Sequence, residues 1–137
     1  MASAASIIVA GLRADAGISA LVGDRIYPAD SVPRLTSFPY IAYTVTSSTP
    51  DYDLGGTLQG YEASILLEVA AVTKSGAEAI RVLLPAFAKL LAGQTLDSAT
   101  VDDGIVSDDG DEVTGPIELS GWKAYLAQVT ISIFYGG

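Results

Sequence analysis

The residues best able to do chemistry are gathered in one stretch. Asp97, Asp102, Asp103, Asp108, Asp109, Asp111, Glu112 and Glu118 fall between Gln94 and Ser120, half of the chain's 16 acidic residues, with no basic residue among them. Carboxylates at that density suit a calcium ion, which takes oxygen ligands. A calcium-binding EF-hand loop places its first ligand five residues ahead of a fixed glycine. Counting back from Gly104 or Gly110 reaches Ala99 or Ile105, neither of which has a side-chain oxygen, so that loop is excluded. Two readings stay open: an irregular calcium site from Asp108, Asp109 and Asp111, and a solvated mobile loop, which the repulsion of adjacent like charges favours.

Other chemistries fail on spacing or composition. Glu62 and Glu68 share the polar face of a strand-like run, but six residues of extended chain hold them roughly 20 Å apart. The two carboxyls of a glycosidase stand within about 10 Å. Gly55-Gly56 is followed by no Lys-Ser/Thr pair and reads as a turn rather than a phosphate loop. Histidine and cysteine are both absent. Their absence removes histidine general bases, serine–histidine nucleophiles, imidazole and thiolate zinc sites, and disulfides. The expectation is a protein without catalytic residues and without a cofactor. With seven basic residues and a formal net charge of −9, the chain lacks the electrostatic footprint for gripping nucleic-acid phosphates.

At 137 residues, half of them hydrophobic, the chain has the length of one domain. The N-terminal stretch Met1-Ala-Ser-Ala-Ala-Ser-Ile-Ile-Val-Ala10 has no basic n-region and too short an apolar run for a signal peptide, and no run approaches a membrane span. A soluble protein with no membrane partner is expected. The longest amphipathic stretch is Ser75 to Leu91. There Ile80, Leu83, Leu84, Phe87, Leu90 and Leu91 recur at helical spacing, Ser75 and Glu78 form a capping box, and Pro85 kinks the outer side. Ahead of it lie two short N-terminal helices, with inward Ile7, Ile8, Leu12, Ile18, Leu21 and Val22, then a short strand at Arg25 to Tyr27. Phe38 to Thr46 is rich in aromatic and β-branched residues, and Tyr61 to Val72 alternates apolar with polar, so both are strands. Ser47 to Gly60, between them, reads as a long polar turn.

Trp122 to Tyr135 is the clearest strand, with Ala127, Val129, Ile131, Ile133 and Tyr135 on one face. Residues 97–118 read as short strands or an acidic flexible hairpin or loop. The fold expected is α+β: a mixed, largely antiparallel sheet with helices packed on one face.

Candidate interface residues follow from the same pattern. Six tyrosines alternate within strands as half-buried core, whereas Tyr52, with Leu54, lies in the polar turn and is available to a partner. Trp122 divides evenly between partner contact and core. Within the acidic segment, Ile105, Val106 and Val113 are apolar enough to dock as a strand on another chain's sheet edge. Asp102, Asp103, Asp108, Asp109 and Asp111 stay in water around them, the whole segment being loose in a free subunit.

The order of these elements is familiar. Ala20-Leu-Val-Gly-Asp-Arg-Ile-Tyr-Pro28 after two short helices precedes Phe38-Pro-Tyr-Ile-Ala-Tyr43, a Gly-rich loop, the strand Tyr61 to Ala71, an Ala-rich helix and a final β run ending in an aromatic. Over almost the whole chain this resembles the tail completion, or tail terminator, proteins of long-tailed double-stranded DNA bacteriophages. The resemblance implies one virion domain that forms a ring, typically of six subunits, at the head-proximal end of the tail. It implies tail tube and neck or stopper proteins as partners, DNA passing through the lumen without specific binding, assembly in the host cytoplasm, and no catalytic residues. Two rivals remain: a neck stopper or connector ring subunit, and, from another class, a small calcium- or protein-binding adaptor.

Overall fold

The computed structural model describes residues 3–33, 37–52, 54–56, 58–97, 99–108, 113–119 and 122–136. Its first turn is set by two serines. Ser3 Oγ accepts from the Ser6 amide at 3.1 Å, and Ser6 Oγ accepts from the Ser3 amide at 2.9 Å, so two of the donors orphaned at a helix start are satisfied reciprocally. Helix α1 (Ala4–Ala14) then buries Ile7, Ile8 and Leu12 completely. Asp15 ends it and caps the next helix, its carboxylate accepting from the Ile18 amide at 3.0 Å. Helix α2 (Ala16–Val22) turns 89° away from α1 and buries Ile18 and Val22. Leu21, expected inward, is 38% exposed. Among the described residues no single helix is long and apolar enough to cross a membrane.

The sheet is built around its last strand. Strands β1 (Ile26–Pro28), β2 (Tyr40–Tyr52), β3 (Leu58–Ala71), β4 (Thr95–Leu96), β5 (Ala99–Asp108), β6 (Thr114–Leu119) and β7 (Trp122–Gly136) form one mixed sheet, ordered β1-β2-β3-β7-β5-β4. Among the described residues only the β1–β2 pair is parallel. β7 pairs β3 from Tyr125 to Tyr135 on one side. On its other side it pairs β5 from Thr130 to Gly136 and β6 from Trp122 to Leu126. Ala63, Ile65, Leu67 and Val69 of β3 and Ala127, Val129, Ile131, Ile133 and Tyr135 of β7 turn toward the helices as the alternation requires, and all are buried. The architecture is the expected α+β: helices on one face of a largely antiparallel sheet.

Two elements differ from expectation. Ser47 to Gly60 is mostly strand, because β2 continues to Tyr52 and β3 starts at Leu58. Its hydroxyl-rich residues carry no apolar alternation, so the pairing left no period-two signal to read. The long helix is in fact two: α3 (Lys74–Arg81) and α4 (Leu84–Leu91). The start of α3 is capped by Thr73, whose Oγ1 accepts from the Gly76 amide at 3.0 Å, and not by Ser75. Glu78 is committed elsewhere. It accepts twice from the Arg81 guanidinium, at 2.9 and 2.6 Å, and those bonds hold its carboxyl below the usual carboxylate range. Pro85 falls in the first turn of α4, where the missing N–H has no intrahelical partner to lose. Restarting the helix rotates its outer face, so Leu90 is 62% exposed while Leu84, Phe87, Ala88 and Leu91 are buried.

Helix α4 lies directly on β5. A Cβ at Gly104 would stand 2.5 Å from the Ala88 carbonyl oxygen, so only glycine admits this approach of helix to strand. Two substitutions test the layer. Phe87→Ala should cost about 3–5 kcal/mol in denaturant unfolding, against under about 0.5 kcal/mol for the exposed Lys89→Ala. Gly104→Ala should cost about 1–3 kcal/mol through overpacking against α4. A neutral Gly104→Ala would mean that α4 does not sit so close.

Candidate assembly surfaces

Two faces of the sheet carry different chemistry. The face away from the helices presents Thr44, Ser47 and Thr49 from β2 and Glu62, Ser64, Leu66 and Glu68 from β3. It continues with Gln128, Thr130, Ser132 and Phe134 from β7 and Asp103 and Ile105 from β5, as the registers place them. Its middle is tied by hydroxyls and amides. Ser64 and Ser132 Oγ atoms are 3.2 Å apart, and Gln128 Nε2 donates to Glu68 Oε2 at 2.9 Å. Strands β2, β3 and β5 contain no lysine or arginine, and β7 contains only Lys123 at its start. Among the described residues the other cations are Arg13, Lys74, Arg81 and Lys89 on the helices and Arg25 just ahead of β1. One end of this face is closed by a smaller cluster of Tyr40, Ala42 and Ala70, with Tyr27, Val32, Phe38 and Leu126 against it.

The β2–β3 hairpin runs past the sheet. β3 has its last β7 partner at Tyr61, opposite Tyr135, yet it pairs with β2 as far as Leu58, opposite Tyr52. Beyond that point the chain is exposed and apolar together: Tyr52 is 58% exposed, Leu58 44%, and Leu54 fully exposed in the turn. Tyr52 and Leu54, singled out from the sequence, therefore share one tip, and Leu58 joins them. Leu58 carries no signal in the sequence, because the strand end that holds it lacks apolar alternation.

The acidic segment is more ordered than its composition suggests. β5 is hydrogen-bonded to β7 within the single chain, from Val101 opposite Tyr135 to Val106 opposite Ile131. Pairing of this stem only across a subunit interface is thereby corrected: a neighbouring edge was available inside the domain. Asp102, Asp103 and Ile105 are exposed on β5, while Val106 packs against the main core. Asp103 accepts from the Gly104 amide at 2.9 Å. Asp108 ends β5 opposite Thr130, and Trp122 opens β7 opposite Leu119. Asp109 and Asp111 lie outside the described residues, so the calcium alternative, which needs both, finds neither support nor contradiction there. Among the described residues no group of three or more acidic side chains is placed to hold a metal ion.

Two concavities accompany these features. One, of about 440 Å³, is lined by Gly60, Tyr61, Asp102, Asp103, Phe134 and Tyr135 at the hairpin end of the sheet, beside the stacked rings of Tyr61 and Tyr135, 5.5 Å apart. The other, of about 340 Å³, opens between the α1–α2 corner and α4, with Ala14, Ala16, Gly17, Phe87 and Leu90 on its walls.

The exposed features are thus an apolar hairpin tip, a sheet face with no lysine or arginine among its described residues, and a cleft of mixed polarity in the helix layer. The comparisons place the chain in a family. The model of the family described as "Tail completion protein gp17" matches residues 7–117, and the chain belongs to that family: it is a structural protein of a phage-type tail, a component of the virion. Among solved structures it is similar to a chain of the "Virion of native gene transfer agent (GTA) particle", at 19% identity and a TM-score of 0.60, with 97% of this chain and 93% of that chain covered. That likeness is one of fold. No curated protein matches.

A spectroscopic prediction follows from the closed end of the sheet face. Burial, and secondarily the negative charge of Glu68, raises the Tyr40 phenol above its ordinary value of 10.0. A raised pKa favours the protonated form in the folded state. Its stabilising contribution is therefore full below about pH 10 and is lost as pH rises through the folded value. An ultraviolet titration of phenolate should show Tyr40 ionising above the ordinary tyrosine value. Glu68→Gln should move Tyr40 only part of the way back, because burial remains.

Proposed function

We propose that this chain is the subunit of a ring that caps the finished tail tube, ends its polymerisation and joins the tail to the neck below the head. Membership of the tail completion family over residues 7–117 carries this reading. The ring has six members, as the family resemblance implies. It contacts the tail tube protein on one side and the neck or stopper protein on the other, and it assembles in the host cytoplasm at the head-proximal end of the tail. Each subunit is a single domain without a catalytic or cofactor role.

Charge supports the same reading. Six copies at −9 each give a formal −54, and the face that the sheet leaves uncovered bears Glu62, Glu68 and Asp103, with no lysine or arginine among the described residues of its strands. Turned toward a lumen, such a surface lets a duplex pass without holding it, since like charges repel and no counterions are released. The isolated protein should show no salt-dependent binding to duplex DNA at physiological ionic strength. Particles made without this chain should carry tails of irregular, often excessive length that fail to join heads. Tails of normal length that still lack heads would instead favour a neck stopper, and normal-length tails joined to heads would reject both readings.

A further inference from the structure

The ring reading leaves open how one subunit holds the next, and the sheet carries two open edges that bear on it. Strand β2 is 13 residues long, but β1 covers its outer side only from Ile41 to Tyr43. From Thr44 to Thr49 no strand lies beyond it among the described residues. Strand β5 spends its inner side on β7. Its outer side meets β4 at Ala99 and Thr100, and Gln94 at Val101, and from Asp103 to Val106 it too is open among the described residues. An open edge presents a row of backbone donors and acceptors to any strand that can reach it, and lysine, a common device for keeping such an edge single, is absent from both stretches.

The backbone shows which groups face out. The Ile41 amide donates outward to the Arg25 carbonyl at 3.0 Å, and alternation turns Tyr43 and Val45 the same way. Pro50 has no amide, so it stands where the ladder to β3 asks for none, and Ser48, two residues earlier, faces out with it. A bulge after Val45 interrupts this row, which keeps it from accepting an arbitrary strand. On β5 the Gly104 amide donates to the carboxylate of Asp103 at 2.9 Å, a local acceptor standing where a neighbouring strand would supply a carbonyl.

The two edges match in height and in direction. Val45 pairs Ile65, Ile65 pairs Ile131, and Ile131 pairs Val106; likewise Thr49, Glu62, Phe134 and Asp103 lie on one level. Each pair along that path is antiparallel, so β2 and β5 run in opposite directions. Rotation about an axis running roughly along the strands therefore sets β5 of one copy beside β2 of the next, antiparallel and with both helix layers on one side. The Val45–Val106 row ends at both edges in a valine that a neighbour would cover: Val45 is 36% exposed and Val106 half-buried. Charge selects among the pairings. Two β5 edges would bring the exposed Asp102 and Asp103 of both copies together, whereas Thr44 to Thr49 is uncharged.

We infer that the outer edge of β5, Asp103 to Val106, adds as an antiparallel strand to the outer edge of β2, Thr44 to Thr49, in the next copy. The inference rests on the ring reading and specifies its joint. β1 at one end and Pro50 with β4 at the other bound the stretch that can pair, so the register has little freedom. The contact joins unlike edges, which is the arrangement that closes into a ring when each subunit is rotated by a fixed angle from the last. Main-chain hydrogen bonds hold it, as in other strand additions.

The absence of native cysteine gives a clean test in the full-length chain. Ser47, Thr49 and Ile105 are exposed on the sheet face away from the helices. Of the double variants Ser47→Cys with Ile105→Cys and Thr49→Cys with Ile105→Cys, at least one, oxidised mildly, should yield a ladder of disulfide-linked oligomers on a non-reducing gel. A mixture of the matching single variants should give the mixed dimer in preference to either homodimer. Independently, Ser48→Pro removes an outward amide without touching the β3 ladder. It should weaken self-association at least tenfold by light scattering, with thermal unfolding of the dilute monomer unchanged. Wild-type rings with no ladder from either double variant would overturn the joint and leave the ring standing, as would Ser48→Pro rings that form as readily as wild type. Homodimers of Ser47→Cys or Thr49→Cys in excess of the mixed dimer would show β2 pairing with itself and reject the inference. A wild-type chain that stays monomeric alone and on purified tail tubes would overturn the ring reading, and this inference with it.

Discussion

β7 must satisfy the backbone of fifteen residues on two sides at once, and most of the molecule follows from how it does so. On one side β3 supplies eleven consecutive partners, and the paired faces of the two strands supply the floor on which α1 and α3 rest. On the other side no single strand runs the full length. β5 serves the C-terminal half and β6 the N-terminal half, and the close seat of α4 on Gly104 fixes β5 against both sheet and helix. Loss of order in β7 would unpair three strands together. The edges are left to short or irregular elements, β1 and β4 at the ends and bulges in β2 and β5, a pattern that discourages uncontrolled edge-to-edge pairing.

Where the sequence was legible, the reason was burial. β3 and β7 show strict alternation because one face of each meets helices, and α1 and α2 show caps and apolar faces that name themselves. Where it was opaque, the governing contact left no apolar mark. The hydroxyl-rich second half of β2 is held by backbone pairing and by Thr46 Oγ1 donating to the Ser64 carbonyl, neither of which produces hydrophobic periodicity. The break at Val82-Leu83 was hidden for the opposite reason: Ile80, Leu84, Phe87 and Leu91 keep helical spacing across it, so the pattern reads as continuous although the chain is not. Aspartates in β5 disguised a strand whose exposed edge tolerates them.

Of the candidate contact residues, those on the hairpin were found by a simple contrast, apolar side chains in a polar setting. The cleft between the α1–α2 corner and α4 was not foreseeable. Its walls come from two adjoining helices and a third far along the chain, and alanine, glycine and a partly turned-out leucine draw no attention individually. Such surfaces depend on where elements come to rest. Tertiary placement, not composition, writes them.

The end-to-end arrangement of β5 and β6 also bears on how such a chain can change in length. Thr130 and Leu126, the β7 partners of Asp108 and Thr114, are four residues apart, and the two flanking strands each hold their own register. Residues added or removed between Asp108 and the buried Val113 therefore need not shift a single pair on either side. Loop closure grows only slowly with length, about 0.6 kcal/mol per doubling. The sheet thus has a built-in splice point between β5 and β6, a place where a lineage could lengthen, shorten or recharge the connection, or an experimenter could graft an epitope, while the rest of the subunit folds as before.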